Sequence, residues 1–159
     1  MKEFHSIAHF IEHVVLMDVA VVLELHHGLK KCAVAVEQTA KDEIGHYQQA
    51  AGNFPTWAPL ADSTEAEKAR LGYPADAPLL RDGTLRDSIS HEVQALEARI
   101  GSTSDIMVYQ EFGTNKIPPR PVLGPAAVRN KTKIERILGE SVVEGLLYGS
   151  GINMARLEK

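Results

Sequence analysis

The segment 109–121, YQEFGTNKIPPRP, restricts the fold more than any other stretch of the sequence. An apolar and aromatic run ends in Phe112-Gly113-Thr114, and after Lys116 comes Pro118-Pro119-Arg120-Pro121. Glycine reaches positive φ without a steric penalty, so Gly113 can turn the chain sharply. Proline fixes φ and removes a backbone donor, so the segment is neither helix nor central strand. It reads as a stiff, extended loop between a strand and a following helix, displaying one exposed arginine, Arg120. Such a loop suits docking better than chemistry.

Upstream, residues 4–49 contain no proline, and Phe4, Ile7, Phe10, Val14, Val19, Val22, Leu25, Val36, Ala40 and Ile44 recur at helical spacing. The spacing predicts a long N-terminal helix, with a bend or break allowed at His26-His27-Gly28 because glycine weakens a helix interior. His26 and His27 then read as cations at a helix C-terminus. The run 14–25 is apolar almost all round, which calls for burial on more than one side, in its own core or against another subunit. It contains Asp18 and Glu24 and is shorter than the ~20 apolar residues a bilayer span needs. The first residues lack the layout of a secretion signal, so a soluble intracellular product is expected.

Residues 50–78 hold four prolines and the only tryptophan. They read as a loop-rich excursion pinned by Trp57 and Tyr73, with a short helix at 65–71 capped by Asp62 or Ser63 and ended by Gly72. A one-turn start at 84–88 precedes strands at 89–93 and 97–100, a third strand at 106–112, and a helix at 128–138 that 142–147 extends past Gly139. Residues 148–159 form a tail expected to be mobile. The expected whole is one domain, 1–159, of the α+β class. Its parts are a helical portion 1–49, the excursion 50–78, and a sheet plus C-terminal helix over 79–147. The long helix is expected to pack on a small, mainly antiparallel sheet.

Candidate chemistry is thin. His5, His9 and His13 are spaced four apart, and an i, i+4 histidine pair can hold a transition metal. The sequence lacks the glutamate that follows the first histidine of a metalloprotease motif, so a solvated helix face is the plainer reading. His46 and His91 stand alone. The single Cys32 excludes an intrachain disulfide and reads as a buried thiol. Ser88, Ser90, Ser102 and Ser104 sit in no nucleophile elbow. Acidic residues among the strand-like runs match no calcium loop. The net charge of −4 argues against a broad nucleic-acid surface. Lys116, Arg120, Arg129, Lys131, Lys133 and Arg136 form a local basic concentration, but no aromatic residues interleave with them. A nucleic-acid adaptor and a metal-binding protein or enzyme stand as alternatives to an interaction protein without cofactor.

Several of these stretches resemble one family. Residues 79–89, LLRDGTLRDSI, resemble the LLRTGxLRxSI element of bacteriophage tail-completion proteins, the minor-tail-protein Z-like family. Ile100-Gly101-Ser102 is similar to that family's strand end. Residues 109–114 and 117–123 look like its YxxxxEFGTxxxPPRPFL signature, and Trp57-Ala58-Pro59-Leu60 is also familiar from prophage members. Two positions depart from the pattern: Asp82-Gly83-Thr84 replaces the usual order, and Val122 replaces the usual phenylalanine. The resemblance implies a non-catalytic particle protein acting in tail completion and head–tail joining, assembled in the bacterial host cytoplasm and carried in the virion. Its implied partners are copies of itself in a ring, a hexamer being the expected form, and other tail and connector proteins, with neither membrane nor nucleic acid. The expected subunit interface is Tyr109, Glu111, Phe112, Gly113, Thr114, Pro118, Pro119, Arg120 and Pro121. Phe112, Val122 and Leu123 would plug the core or a neighbour, and Arg120 would make a cross-subunit charged contact.

Overall fold

A computed structural model describes residues 6–150. Of the tail expected over 148–159, residues 148 and 149 are helical rather than loose, and the part beyond 150, like His5, lies outside this range. In chain order the elements are α1 (Ile7–Glu43), α2 (Asp62–Arg70), α3 (Thr84–Asp87), β1 (Ile89–Gln94), β2 (Glu97–Ser102), α4 (Asp105–Phe112), α5 (Leu123–Arg129) and α6 (Lys131–Gly149). The class is α+β, with a two-stranded antiparallel hairpin. Two compact units divide the chain: 1–32, 93–98 and 133–159 in one, 33–92 and 99–132 in the other.

In the first unit, the N-terminal part of α1 and most of α6 form an antiparallel pair whose closeness depends on small residues. A Cβ on Gly145 would lie 2.5 Å from the Val21 Cα, and one on Gly149 would lie 2.4 Å from the Met17 Cα. Gly28 does not break α1. It is buried where Ser141 packs, with Ser141 Oγ 2.3 Å from where its Cβ would be. The expected break is thus replaced by close helix approach, and His26 and His27 lie in mid-helix. His26 Nδ1 meets the Ala95 carbonyl at the hairpin turn at 2.7 Å, and His27 lies 3.5 Å from Glu24. Cys32 is buried, and its desolvation raises the thiol pKa.

The second unit is built on Ala33, Val36, Ala40 and Ile44 of α1, with Trp57, Ile89, Met107, Val122 and Ala126 closing the core. Trp57 is the pin expected of it: it is 4% exposed and its indole N–H donates to the Pro121 carbonyl at 3.0 Å. Tyr73 is covered by the Arg81 guanidinium, 5.1 Å from the ring centre. Asn130 is buried and donates to Thr39 Oγ1 and the Ala126 carbonyl. His91, alone in sequence, pairs with Glu37, which also accepts from Lys41. These bonds to Glu37 hold its carboxyl below the usual range. The short helix begins at Asp62 itself, with Ala61 as an N-cap that offers only its carbonyl, to the Thr64 and Glu65 N–H groups.

The expected third strand is instead α4. Ser104 adopts extended backbone at its N-cap, Asp105 stands in its first turn, and the Met107 N–H bonds back to the Ser104 carbonyl at 3.0 Å. Only Met107 of the helix is buried, so a short apolar run gave no periodicity to separate helix from strand. α6 continues through Gly139, where a Cβ would meet nothing within 4 Å, so glycine there leaves the helix undisturbed.

Glu43 is the buried acid of this unit. It pairs with Arg129, whose Nη2 also donates to the Gln49 carbonyl at 2.7 Å. Its second oxygen, Oε2, is buried without a partner. Burial pushes the carboxyl up to about 7 against the pull of Arg129, and the orphan oxygen is a place for the proton. The folded state therefore binds a proton that the unfolded chain has already lost, so stability from this group falls as pH rises from about 4.5 to 7. Urea midpoints are expected to decline across that window, and Glu43→Gln is expected to flatten the decline. A rise over the same range would mean that Arg129, not burial, governs the site.

Candidate assembly site

The loop after α4 is fixed by backbone constraints. Gly113 ends the helix at φ 72, ψ 178, a region open essentially to glycine alone. A Cβ there would lie 2.9 Å from the Pro119 nitrogen and 3.1 Å from the Ile117 carbonyl oxygen. Thr114 closes the following turn: its N–H donates to Ile117 O at 2.9 Å, and its Oγ1 accepts from the Lys116 and Ile117 N–H groups. Pro118 and Pro119 are exposed beyond it. Glu111 reaches back to the start of α5, accepting from the N–H groups of Val122 (2.7 Å), Leu123 (3.4 Å) and Gly124 (3.2 Å). A carboxylate over these free helix-start donors is a charge-assisted cap.

Arg120 corrects the sequence expectation. It is 6% exposed, and its guanidinium donates through Nε and Nη2 to Ala58 O and through Nη2 to Pro59 O, at 3.0–3.3 Å. Its backbone N–H donates to the Gln110 carbonyl at 2.6 Å. The arginine ties the proline loop to the excursion 50–78 of its own chain, rather than projecting as a free cross-subunit cation. Desolvation lowers its pKa. Pro121 and Val122 are buried and Leu123 half-buried, so Val122 is a core plug. Phe112 is 78% exposed and Tyr109 54%, so Phe112 does not fill the core of its own unit. Of the expected interface set, Tyr109, Phe112, Thr114, Pro118 and Pro119 are exposed. Glu111, Gly113, Arg120 and Pro121 shape the loop from within.

A cleft of about 790 Å³ opens beside this loop. Leu60, Leu79, Leu85, Ile106 and Ile117 supply apolar wall, and Lys68, Arg81, Lys116 and Arg120 bring cations to it. Sequence reading missed Lys68. On a surface helix it looks like a solvated charge, yet it is 8% exposed and its Nζ donates to Ala77 O at 2.5 Å.

In the other unit, α1 carries an exposed apolar stripe. Ile7, Phe10, Ile11, Val14, Val15, Leu16, Val19, Val22 and Leu23 are each 41–79% exposed. Within 7–23 the only charged residues other than histidine are Glu12 and Asp18. His9 is exposed and His13 half-buried on the same helix. Among the described residues no group of three His, Cys, Asp or Glu is placed to hold a metal ion, and no helix is long and apolar enough to cross a membrane. Of the basic segment, Arg129 is paired with Glu43, and Arg136 lies 3.0 Å from Glu140. Set against protein-family models, curated proteins and solved structures, the chain matches none.

Proposed function

We propose that this chain is a non-catalytic subunit of a tailed-phage or prophage particle, acting in tail completion and head–tail joining as part of a ring of its own copies. The phage assignment rests on the sequence resemblance over 57–128. The assembly role is carried by the outer face of α1. Ile7, Ile11, Val15, Val19 and Val22 follow helical spacing along one side, and their neighbours widen the stripe. Nine such side chains, each about half exposed, present on the order of 800 Å², which is what one partner contributes to a standard interface and more than a typical monomer leaves bare. A second copy of the chain is the occupant we assign to it, and because rings close through head-to-tail contacts, the stripe would meet a different face of that copy.

Placing carboxylates in the stripe tests this. Val15→Glu combined with Val22→Glu is expected to weaken self-association at least a hundredfold, about 2.7 kcal/mol, as read by light scattering over a concentration series. Helix content should not change, because neither side chain is buried. Tail joining in a complementation assay should fall in parallel. Wild-type protein that stays monomeric at about 100 μM, a level that would reveal even weak pairing, would end the ring proposal.

A further inference from the structure

The geometry points to a second binding site in this protein: the cleft beside the proline loop receives an acidic, leucine-rich peptide segment of a partner protein. Lys68 and Arg120 are both more than nine-tenths buried, and neither pairs with a carboxylate among the described residues. Lys68 has one carbonyl partner, and the Nη1 amine of Arg120 has no hydrogen bond among the described residues. Carbonyls hold these cations without neutralising them, so an anion entering the cleft would meet uncompensated positive charge, and Asp76 and Glu65 act on Lys68 only at a distance.

The remaining charges do not neutralise them. Arg81 is taken by Glu67 at 3.6 Å, and Asp82 is occupied by the Thr84 N–H and hydroxyl. Lys116 stands exposed at the cleft with no carboxylate partner among the described residues. The four cations and two acids of the lining leave a net +2 on a protein of −4. Strain marks the same wall: Leu79 is held at φ 62, which a leucine adopts only when its surroundings force it.

The walls select the class of ligand. Leucine and isoleucine side chains line the cleft and no aromatic ring does, so it offers aliphatic contact without a platform for stacked bases. A carboxylate set among aliphatic residues satisfies the cations and the walls together. The cleft volume suits a few residues of extended chain. Only the source of the segment, a neighbour in the particle, rests on the assembly reading; the chemistry of the cleft does not.

The probe is a labelled peptide of alternating leucine and glutamate, compared with its leucine–glutamine counterpart and with single-stranded oligothymidylate, on the full-length chain. The acidic peptide is expected to bind at least tenfold tighter than the glutamine version. It should move amide resonances of Lys68, Leu79, Leu85, Ile106 and Lys116, and its affinity should fall with salt. Lys116→Glu, on an exposed side chain, should weaken it at least tenfold with melting unchanged, whereas Lys68→Met should weaken it while also lowering the melting temperature, because the Ala77 carbonyl loses its donor. Equal binding of the glutamine peptide, tighter binding of the oligonucleotide, or undisturbed cleft resonances at millimolar peptide would each overturn the proposal. A chain that binds the peptide but never self-associates would sink the ring and leave the cleft standing. Rings that ignore the peptide would do the reverse.

Discussion

Gly113→Ala is expected to lower stability by about 3 kcal/mol or more, because two separate penalties fall on one methyl group. The backbone at φ 72, ψ 178 is disfavoured for any L side chain whatever the space around it. The added carbon would also press on Pro119 and Ile117, where two of the three nearest atoms are backbone and the third belongs to the proline ring, so none can swing aside as a flexible side chain would. Relief would require moving the proline loop, and with it the Thr114 turn and the Arg120 N–H bond to Gln110. For a chain of this size the loss corresponds to roughly 6–12 °C in melting temperature. Calorimetry of the purified variant checks it. A melting temperature within about 2 °C of wild type would mean that the loop yields freely and is not the rigid element described.

Arg120→Ala is expected to destabilise by about 2–4 kcal/mol, the range for removing a buried charged donor and leaving carbonyls without partners. The carbonyls of Ala58 and Pro59 would lose their donors, and the excursion would lose one of its ties to the proline loop. Arg120→Lys should recover only part of the loss, because an ammonium cannot reproduce the planar fork that spans two carbonyls. Urea unfolding of the three proteins provides the measurement. The outcome also separates two roles. An arginine serving only a neighbouring subunit would leave isolated-chain stability unchanged on removal, whereas the intrachain clamp loses it at once. Any loss of tail joining in this variant must be read against its folding, which makes the α1 carboxylate variants the cleaner probe of assembly.

Local patterns in the sequence carried a good part of this protein. The spacing of apolar residues gave α1, the alternation and turn gave the hairpin, and Gly113 among prolines gave the sharp loop. Trp57 as a pin and Cys32 as a buried thiol were also legible, since bulk and polarity alone favour those places. The excess of apolar surface on 14–25 could be read as demanding a partner; which part of α1 stays open depended on where α6 packs. Local pattern failed where two arrangements share the same short-range signal. Residues 106–112 are apolar enough for a strand, yet they form a helix that starts after the extended Ser104. Gly28 could equally break a helix or admit a neighbour, and Ser141, more than a hundred residues away, settled that. Arg120 read as an exposed cation because charge prefers water, and Lys68 drew no reading of its own. Only the fold brought the carbonyls of residues 58, 59 and 77 to them and set both beside one cleft. Sequence fixes what each residue can tolerate along the backbone. Burial and partners come from contacts between distant segments, whose energies depend on the whole packed arrangement.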